Sequence, residues 1–134
     1  MSVHRIDVLI NVVDVDRSLS FYHDLIGMRL DSSWTDAEGR TRWAKLIAPG
    51  GNALMLNQPT GDLPTDRASR PAYRDAVIYL HVESADELSS IHHRLSEAGL
   101  SPGQCHDEAY GQREFIVRDP DGYEIALATR LGPS

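Results

Sequence analysis

A chain of 134 residues is long enough for one compact domain and leaves little room for a second independent core. A hydrophobic share of 41% excludes a disordered tail, and a net charge of −7 without any basic cluster excludes nucleic acid, whose phosphates the chain would repel. The single cysteine, Cys105, excludes an internal disulfide or a multi-cysteine metal site; it reads first as an inert packed residue and second as a nucleophile.

The N-terminal apolar stretch is broken by Asn11 and Asp14. It is too short and too polar for a signal peptide or a membrane span, so we expect a cytoplasmic protein with no membrane partner. Arg5 to Val13 predicts a buried strand. Asp14 offers a side-chain cap for a helix that starts near Val15 and carries Leu19, Tyr22 and Ile26 at helical spacing. Gly27 closes it. Strands are expected at about Arg29 to Thr35, Thr41 to Ala48 and Ala53 to Asn57. The turn sequences Asp36-Ala37-Glu38-Gly39 and Pro49-Gly50-Gly51 separate them. From Gln58 to Asp75 the chain is polar, with Pro59, Pro64 and Pro71, and reads as a linker.

The pattern then begins again. Ala76 to Glu83 is an apolar strand. Ser84 and Glu87 form a capping box for a helix with the apolar face Leu88, Ile91 and Leu95, closed by Gly99. Strands follow at about Ser101 to Glu108, Arg113 to Arg118 and Tyr123 to Thr129, the last two joined through the turn Asp119-Pro120-Asp121-Gly122. Val12 and Val82 stand 70 residues apart, and Gly27 and Gly99 stand 72 apart. This is the spacing of a duplicated module. The expected fold is α+β: two tandem βαβββ modules, at about 4–58 and 76–130, within one domain spanning 1–134. Their curved sheets would form a cup, with the helices on the outer face.

Several motifs carry a family resemblance over essentially the whole chain. They are Val12-Val13-Asp14, Ser18-Leu19-Ser20-Phe21-Tyr22 and Leu25-Ile26-Gly27, then His81-Val82-Glu83-Ser84 and Phe115-Ile116-Val117-Arg118-Asp119-Pro120-Asp121-Gly122-Tyr123. Together they resemble the vicinal-oxygen-chelate superfamily, which includes glyoxalases, extradiol dioxygenases and bleomycin-resistance proteins. The resemblance implies a homodimer. It also implies four metal positions, which fall here on Asp7, Met55, Val77 and Ala126. The family pattern has His, Gln or Glu there. One carboxylate, one soft thioether and two side chains without donors do not make a site for Zn²⁺, Mg²⁺ or Mn²⁺. No metal at these positions, and no cofactor, is expected.

Residues two apart on a strand share a face. By this alternation the cup is lined by Asp7, Leu9 and Asn11, by Val77, Tyr79 and His81, and by Glu124, Ala126 and Ala128; the family resemblance adds Glu114, Ile116 and Arg118. The alternating residues Ile6, Val8, Ile10 and Val12 would pack under the helices, as would Ile78, Leu80, Val82, Phe115, Val117, Ile125 and Leu127. Trp34 and Trp43 offer flat surfaces for a planar ligand. Met55 is a further candidate contact. His92-His93 reads as a solvated helix face, since adjacent helical residues diverge by about 100°.

Two functions stay open. The first is a metal-independent protein that binds a drug-like or aromatic metabolite in the cup, serving antibiotic resistance or secondary metabolism. Its ligand-binding residues would be Asn11, Trp34, Trp43, Met55, Val77, Tyr79, Ile116, Glu124 and Ala126. The second is a metal-independent isomerase, cyclase or lyase, in which Asp7, His81 and Glu114 are catalytic candidates, because a carboxylate beside apolar walls suits acid–base work.

Overall fold

The computed structural model describes residues 2–132. The chain divides between Pro64 and Thr65 into two compact units. In the N-terminal unit, β1 (Asp7–Asn11) leads into α1 (Val15–Leu19) and a π-helical turn (Ser20–Leu25). Then come β2 (Arg29–Thr35), β3 (Thr41–Ile47) and β4 (Ala53–Asn57). The sheet order is β1-β4-β3-β2, with β1 parallel to β4 and the other neighbours antiparallel. Asp14 caps α1 as its sequence predicts: its carboxylate accepts the Arg17 amide at 3.2 Å.

In the C-terminal unit, β5 (Ile78–His81) is followed by α2 (Ala85–Glu97), β6 (His106–Asp107), β7 (Gln112–Arg118) and β8 (Glu124–Arg130). The order β5-β8-β7-β6, with β5 parallel to β8, repeats the N-terminal topology. The chain is thus two tandem βαβββ modules of α+β class. Ser84 Oγ accepts the Glu87 amide at 3.1 Å, and the Glu87 carboxylate accepts the Glu83 amide at 3.2 Å. This is the expected capping box, displaced by one residue on its return arm. Leu88, Ile91 and Leu95 are buried on α2, which packs on β8; Phe115, Val117, Ile125 and Leu127 are buried within the sheet. Each such side chain contributes about 1.5–3 kcal/mol when removed from water.

Four sequence expectations need correction. Ile6 and Val8 do not pack under a helix; both are exposed. Helix α1 rests on β3 and β4, so β1, at the sheet edge, keeps only Ile10 buried, followed by Val12 beyond its end. The first helix is also not regular. After Leu19 it widens, with the Ile26 amide bonding the Phe21 carbonyl and the Met28 amide reaching Tyr22, and the wider turn lets the consecutive Phe21 and Tyr22 both be buried, edge to face. The strand expected from Ser101 to Glu108 shrinks to His106–Asp107. Ser101 takes a positive φ of 51°, and Pro102 has no amide hydrogen to give a ladder. Finally, His92 is not a solvated residue. Its Nε2 lies 2.8 Å from the Gly103 carbonyl, and its ring meets Phe115 edge-on.

Candidate functional site

A dense arrangement of polar side chains lies on the C-terminal sheet. Tyr79 of β5 and Glu114 of β7 flank β8. Their register partners on that strand are Ala126 and Ala128. Two methyl groups leave the space above β8 open, so the long side chains meet across it. The Tyr79 hydroxyl donates to Glu114 Oε1 at 3.0 Å. Tyr110 stands near the tip of the β6–β7 hairpin, which Gly111 closes with a φ of +90°. It folds back so that its hydroxyl donates to the same oxygen at 2.6 Å. Glu114 itself is fully buried, and its second oxygen, Oε2, has no hydrogen-bond donor. Two donors share one carboxylate oxygen, whereas a buried oxygen without one costs about 1–3 kcal/mol.

These contacts keep the phenols protonated. The hydrogen bond with Tyr110, then desolvation, then the bond to Glu114 hold the Tyr79 pKa well above its ordinary value. Desolvation and a hydrogen bond with Tyr79 raise that of Tyr73. The bond to Glu114 raises that of Tyr110. The face therefore presents phenol donors around an acidic floor. His81 stacks on Tyr79 with ring centroids 6.1 Å apart and is itself exposed. His106, directly across from Glu114 in the β6–β7 pair, sets Nε2 2.7 Å from Glu108 Oε1. Its Nδ1 lies 3.1 Å from the Gln104 carbonyl. That carbonyl, foremost, and Glu108 raise the His106 pKa.

A strap formed by residues 65–75 is tied to this sheet. Arg67 lies over the Tyr123 ring at 4.1 Å, and Arg118 donates to the Arg70 carbonyl at 2.8 Å. The Tyr73 amide donates to the buried carboxylate of Glu124 at 3.1 Å, and Arg118 approaches that carboxylate at 3.7 Å. Glu124 is thus committed to holding the strap. Gly122 makes the close approach possible, since a Cβ there would stand 2.7 Å from the Ala68 amide nitrogen. The Asp119 turn is an Asx turn, with Oδ1 accepting the Asp121 and Tyr123 amides.

Of the other residues singled out in the sequence, Ile116 and Val77 are half-buried and Ala126 is buried. The N-terminal unit holds Asp7, Asn11, Trp34, Trp43 and Met55. Trp34 and Trp43 are cross-strand partners, with Trp34 largely exposed. Asn11 accepts from Asn57 at 3.1 Å. Asp7 is fully engaged: Oδ1 accepts the Ala53 amide at 3.0 Å, and Oδ2 pairs with Arg5 at 2.9 Å. The four positions that the family resemblance assigns to an ion carry the following side chains. Asp7 is tied into the sheet edge, Met55 offers a soft sulfur, and Val77 and Ala126 offer nothing. Cys105, expected to be packed, is exposed; desolvation raises its thiol pKa despite Arg113 nearby, so it is no activated thiolate. Arg113 is held by Asp107 at 2.7 Å.

Sequence reasoning placed Tyr79 and Glu114 on one face and gave no role to Tyr73 or Glu108; it left Tyr110 between the mouth of the cup and a plain loop position, without its bond to Glu114. Tyr110-Gly111 was the available signal for the last, because a glycine between two strands marks a tight hairpin that turns its neighbour back on the sheet. A separate hollow of about 530 Å³ on the N-terminal unit is lined by Asp14, Asp16, Glu38 and Arg40 among others. It is an open, loop-walled depression beside the α1 cap, and none of the candidate residues lines it.

The chain matches the Glyoxalase/Bleomycin resistance protein/Dioxygenase superfamily over residues 4–127. It is 30% identical over 122 residues to a lactoylglutathione lyase of Haemophilus influenzae, covering 87% of this chain and 85% of that one. Among solved structures it resembles a glyoxalase/dioxygenase from Nostoc punctiforme, with a TM-score of 0.74 and 21% identity over 98% of this chain and 92% of the other. It also resembles TioX from Micromonospora sp. ML1, with a TM-score of 0.69 and 23% identity, covering 95% and 98%. TnmS3, an antibiotic binding protein from Streptomyces sp. CB03234, gives a TM-score of 0.66 and 22% identity, covering 97% and 96%. At these identities the structural matches speak for the fold.

Proposed function

The chain belongs to the glyoxalase/bleomycin-resistance/dioxygenase superfamily, and from that premise we propose that it binds a small drug-like or aromatic molecule independently of the family's metal centre. The observation that carries this reading is the pair of faces just described. The four family ion positions hold one engaged carboxylate, one soft thioether and two side chains without donors, while three phenols converge about Glu114. A floor of buried carboxylate under protonated phenols suits a ligand that is cationic or rich in hydrogen-bond donors, and aromatic rings give it flat contact area. The cross-strand tryptophans give the N-terminal unit a flat surface of its own. An antibiotic-binding protein among the fold's relatives supports this reading. We take the protein to be a cytoplasmic homodimer; Val8 and Leu9 on edge strand β1, with Ile6 just before it, leave apolar side chains that an unpartnered chain would expose to water.

A second reading, acid–base catalysis without a metal, rests on Glu114 Oε2, a buried carboxyl oxygen without a donor on a side chain bonded to Tyr79. One experiment separates the two. The protein, kept in chelator, is titrated calorimetrically with bleomycin and a panel of planar aromatic antibiotics, and each is incubated and analysed for turnover. Saturable binding without conversion, weakened about tenfold by Tyr79→Phe, supports sequestration. Conversion of a bound compound would establish catalysis. Lactoylglutathione lyase activity, measured with and without added Zn²⁺ or Ni²⁺, is expected to be absent, and finding it would overturn the proposal.

A further inference from the structure

Among the described residues, one place brings three metal-capable side chains together, and none of the three is one of the family's four positions. His106, Glu108 and Glu114 each offer a donor atom, and the three atoms lie within 4.8 Å of one another. Two of the residues are cross-strand partners, His106 of β6 and Glu114 of β7; Glu108, just past β6, brings Oε1 to 2.7 Å from His106 Nε2. The hairpin geometry therefore builds the cluster directly.

We propose that this hairpin holds a divalent transition-metal ion through His106, Glu108 and Glu114. A cluster of ionisable groups alone does not make such a site, and the independent sign is Glu114. Its carboxylate is fully buried, and Oε2 has no donor. A buried carboxylate oxygen left unpaired is costly, and a cation removes that cost. Tyr79 and Tyr110 both bond Oε1 and hold the carboxylate in place, leaving the other oxygen free. The imidazole is oriented in the same manner. Its Nδ1 faces the Gln104 carbonyl at 3.1 Å, an acceptor that fixes the hydrogen there and turns Nε2 toward Glu108. Ligating histidines are characteristically held by such an outer partner. Donors about 2.1 Å from a tetrahedral ion stand roughly 3.4 Å apart. The present spacing reaches that value by small rotations, and His106 and Glu108 are exposed enough to make them.

One imidazole and two carboxylates form a hard-to-borderline set. It suits Mn²⁺, Fe²⁺ or Zn²⁺ and offers nothing to Cu⁺. Three protein donors leave coordination positions open to water or to a ligand oxygen. The inference does not depend on the identity of the organic ligand proposed above.

The test uses the full chain, stripped with chelator, dialysed, and titrated by calorimetry with Zn²⁺ alone and Mn²⁺ alone. Near-stoichiometric uptake of Zn²⁺ is expected, with Mn²⁺ weaker, following the ordinary affinity series. His106→Ala and Glu108→Gln should each weaken Zn²⁺ by about tenfold or more. His93→Ala, on the exposed side of α2, should not. Thermal unfolding without metal confirms that the variants fold. Absence of stoichiometric uptake, or uptake that survives the His106→Ala/Glu108→Gln double variant, overturns the proposal. Ligand binding is measured in chelator, so the two readings fail separately.

Discussion

Replacing Gly122 by alanine tests how the strap is held. Gly122 has a φ of +86°, and an added Cβ would lie 2.7 Å from the Ala68 nitrogen and 2.9 Å from Arg67 Cβ. The left-handed backbone alone costs about 1–2 kcal/mol for a residue with a Cβ. Ordinary carbon contacts are roughly 3.5–4.0 Å, so the strap must also retreat by about 1 Å. That displacement loosens the Arg67–Tyr123 stacking and the hydrogen bonds of Arg118 to Arg70 and of Tyr73 to Glu124. The stacking contributes about 0.5–1 kcal/mol, and a hydrogen bond to a charged group about 1.5–3 kcal/mol. Partial loss of these brings the total for Gly122→Ala to about 3 kcal/mol. Gly99→Ala is the matched control. Its φ is +80° with nothing within 4 Å of the added Cβ, so it incurs the backbone cost alone. Urea unfolding followed by circular dichroism should give a larger drop in midpoint for Gly122→Ala at unchanged slope. Equal destabilisation of the two variants would refute the close-approach account.

Three further outcomes follow from the same structure. Tyr79 and Tyr73 have folded pKa values above the ordinary 10.0. The fold therefore binds their protons more tightly than the unfolded chain, and the stability they contribute is complete below pH 10 and is lost as pH rises beyond it; unfolding midpoints should fall in that window, less steeply for Tyr79→Phe. On α2, Ser84→Ala removes the acceptor of the Glu87 amide and should cost about 1 kcal/mol, while Leu88→Ala, at a fully buried position, should cost about 2–5 kcal/mol, both read by urea unfolding.

Local chemistry was legible where a residue acts on its near neighbours. The Asp14 and Ser84 caps, the Asp119 turn and the second helix's buried stripe are all written in short spacings, and the structure shows each of them. Alternation also explains why Tyr79 and Glu114 share a face; the alanines that let them touch are visible only once β8 is known to run between them. Coverage was not legible. Nothing in Ile6 or Val8 says that the helix will rest on β3 and β4 and leave β1 at the edge. The widened turn after Leu19 was hidden too, because Phe21 and Tyr22 fit a regular helix equally well by pattern. Tyr73 and Glu108, and the bond of Tyr110 to Glu114, escaped because these residues sit in segments that periodicity does not describe; their positions come from a strap and a hairpin loop folding back on the sheet.

The strap also bears on where the chain can be interrupted. Hydropathy marks the second repeat as starting near Ala76, yet the cooperative structure of that repeat starts earlier, since Arg67, Arg70 and Tyr73 are bonded to Tyr123, Arg118 and Glu124. An insertion at 60–64 lengthens a segment lying before all of these bonds. The same insertion at 70–75 lengthens the short loop between two anchored points and loosens Tyr73 from its neighbour Tyr79, so tolerance to added sequence should fall abruptly across a few residues whose composition looks uniform.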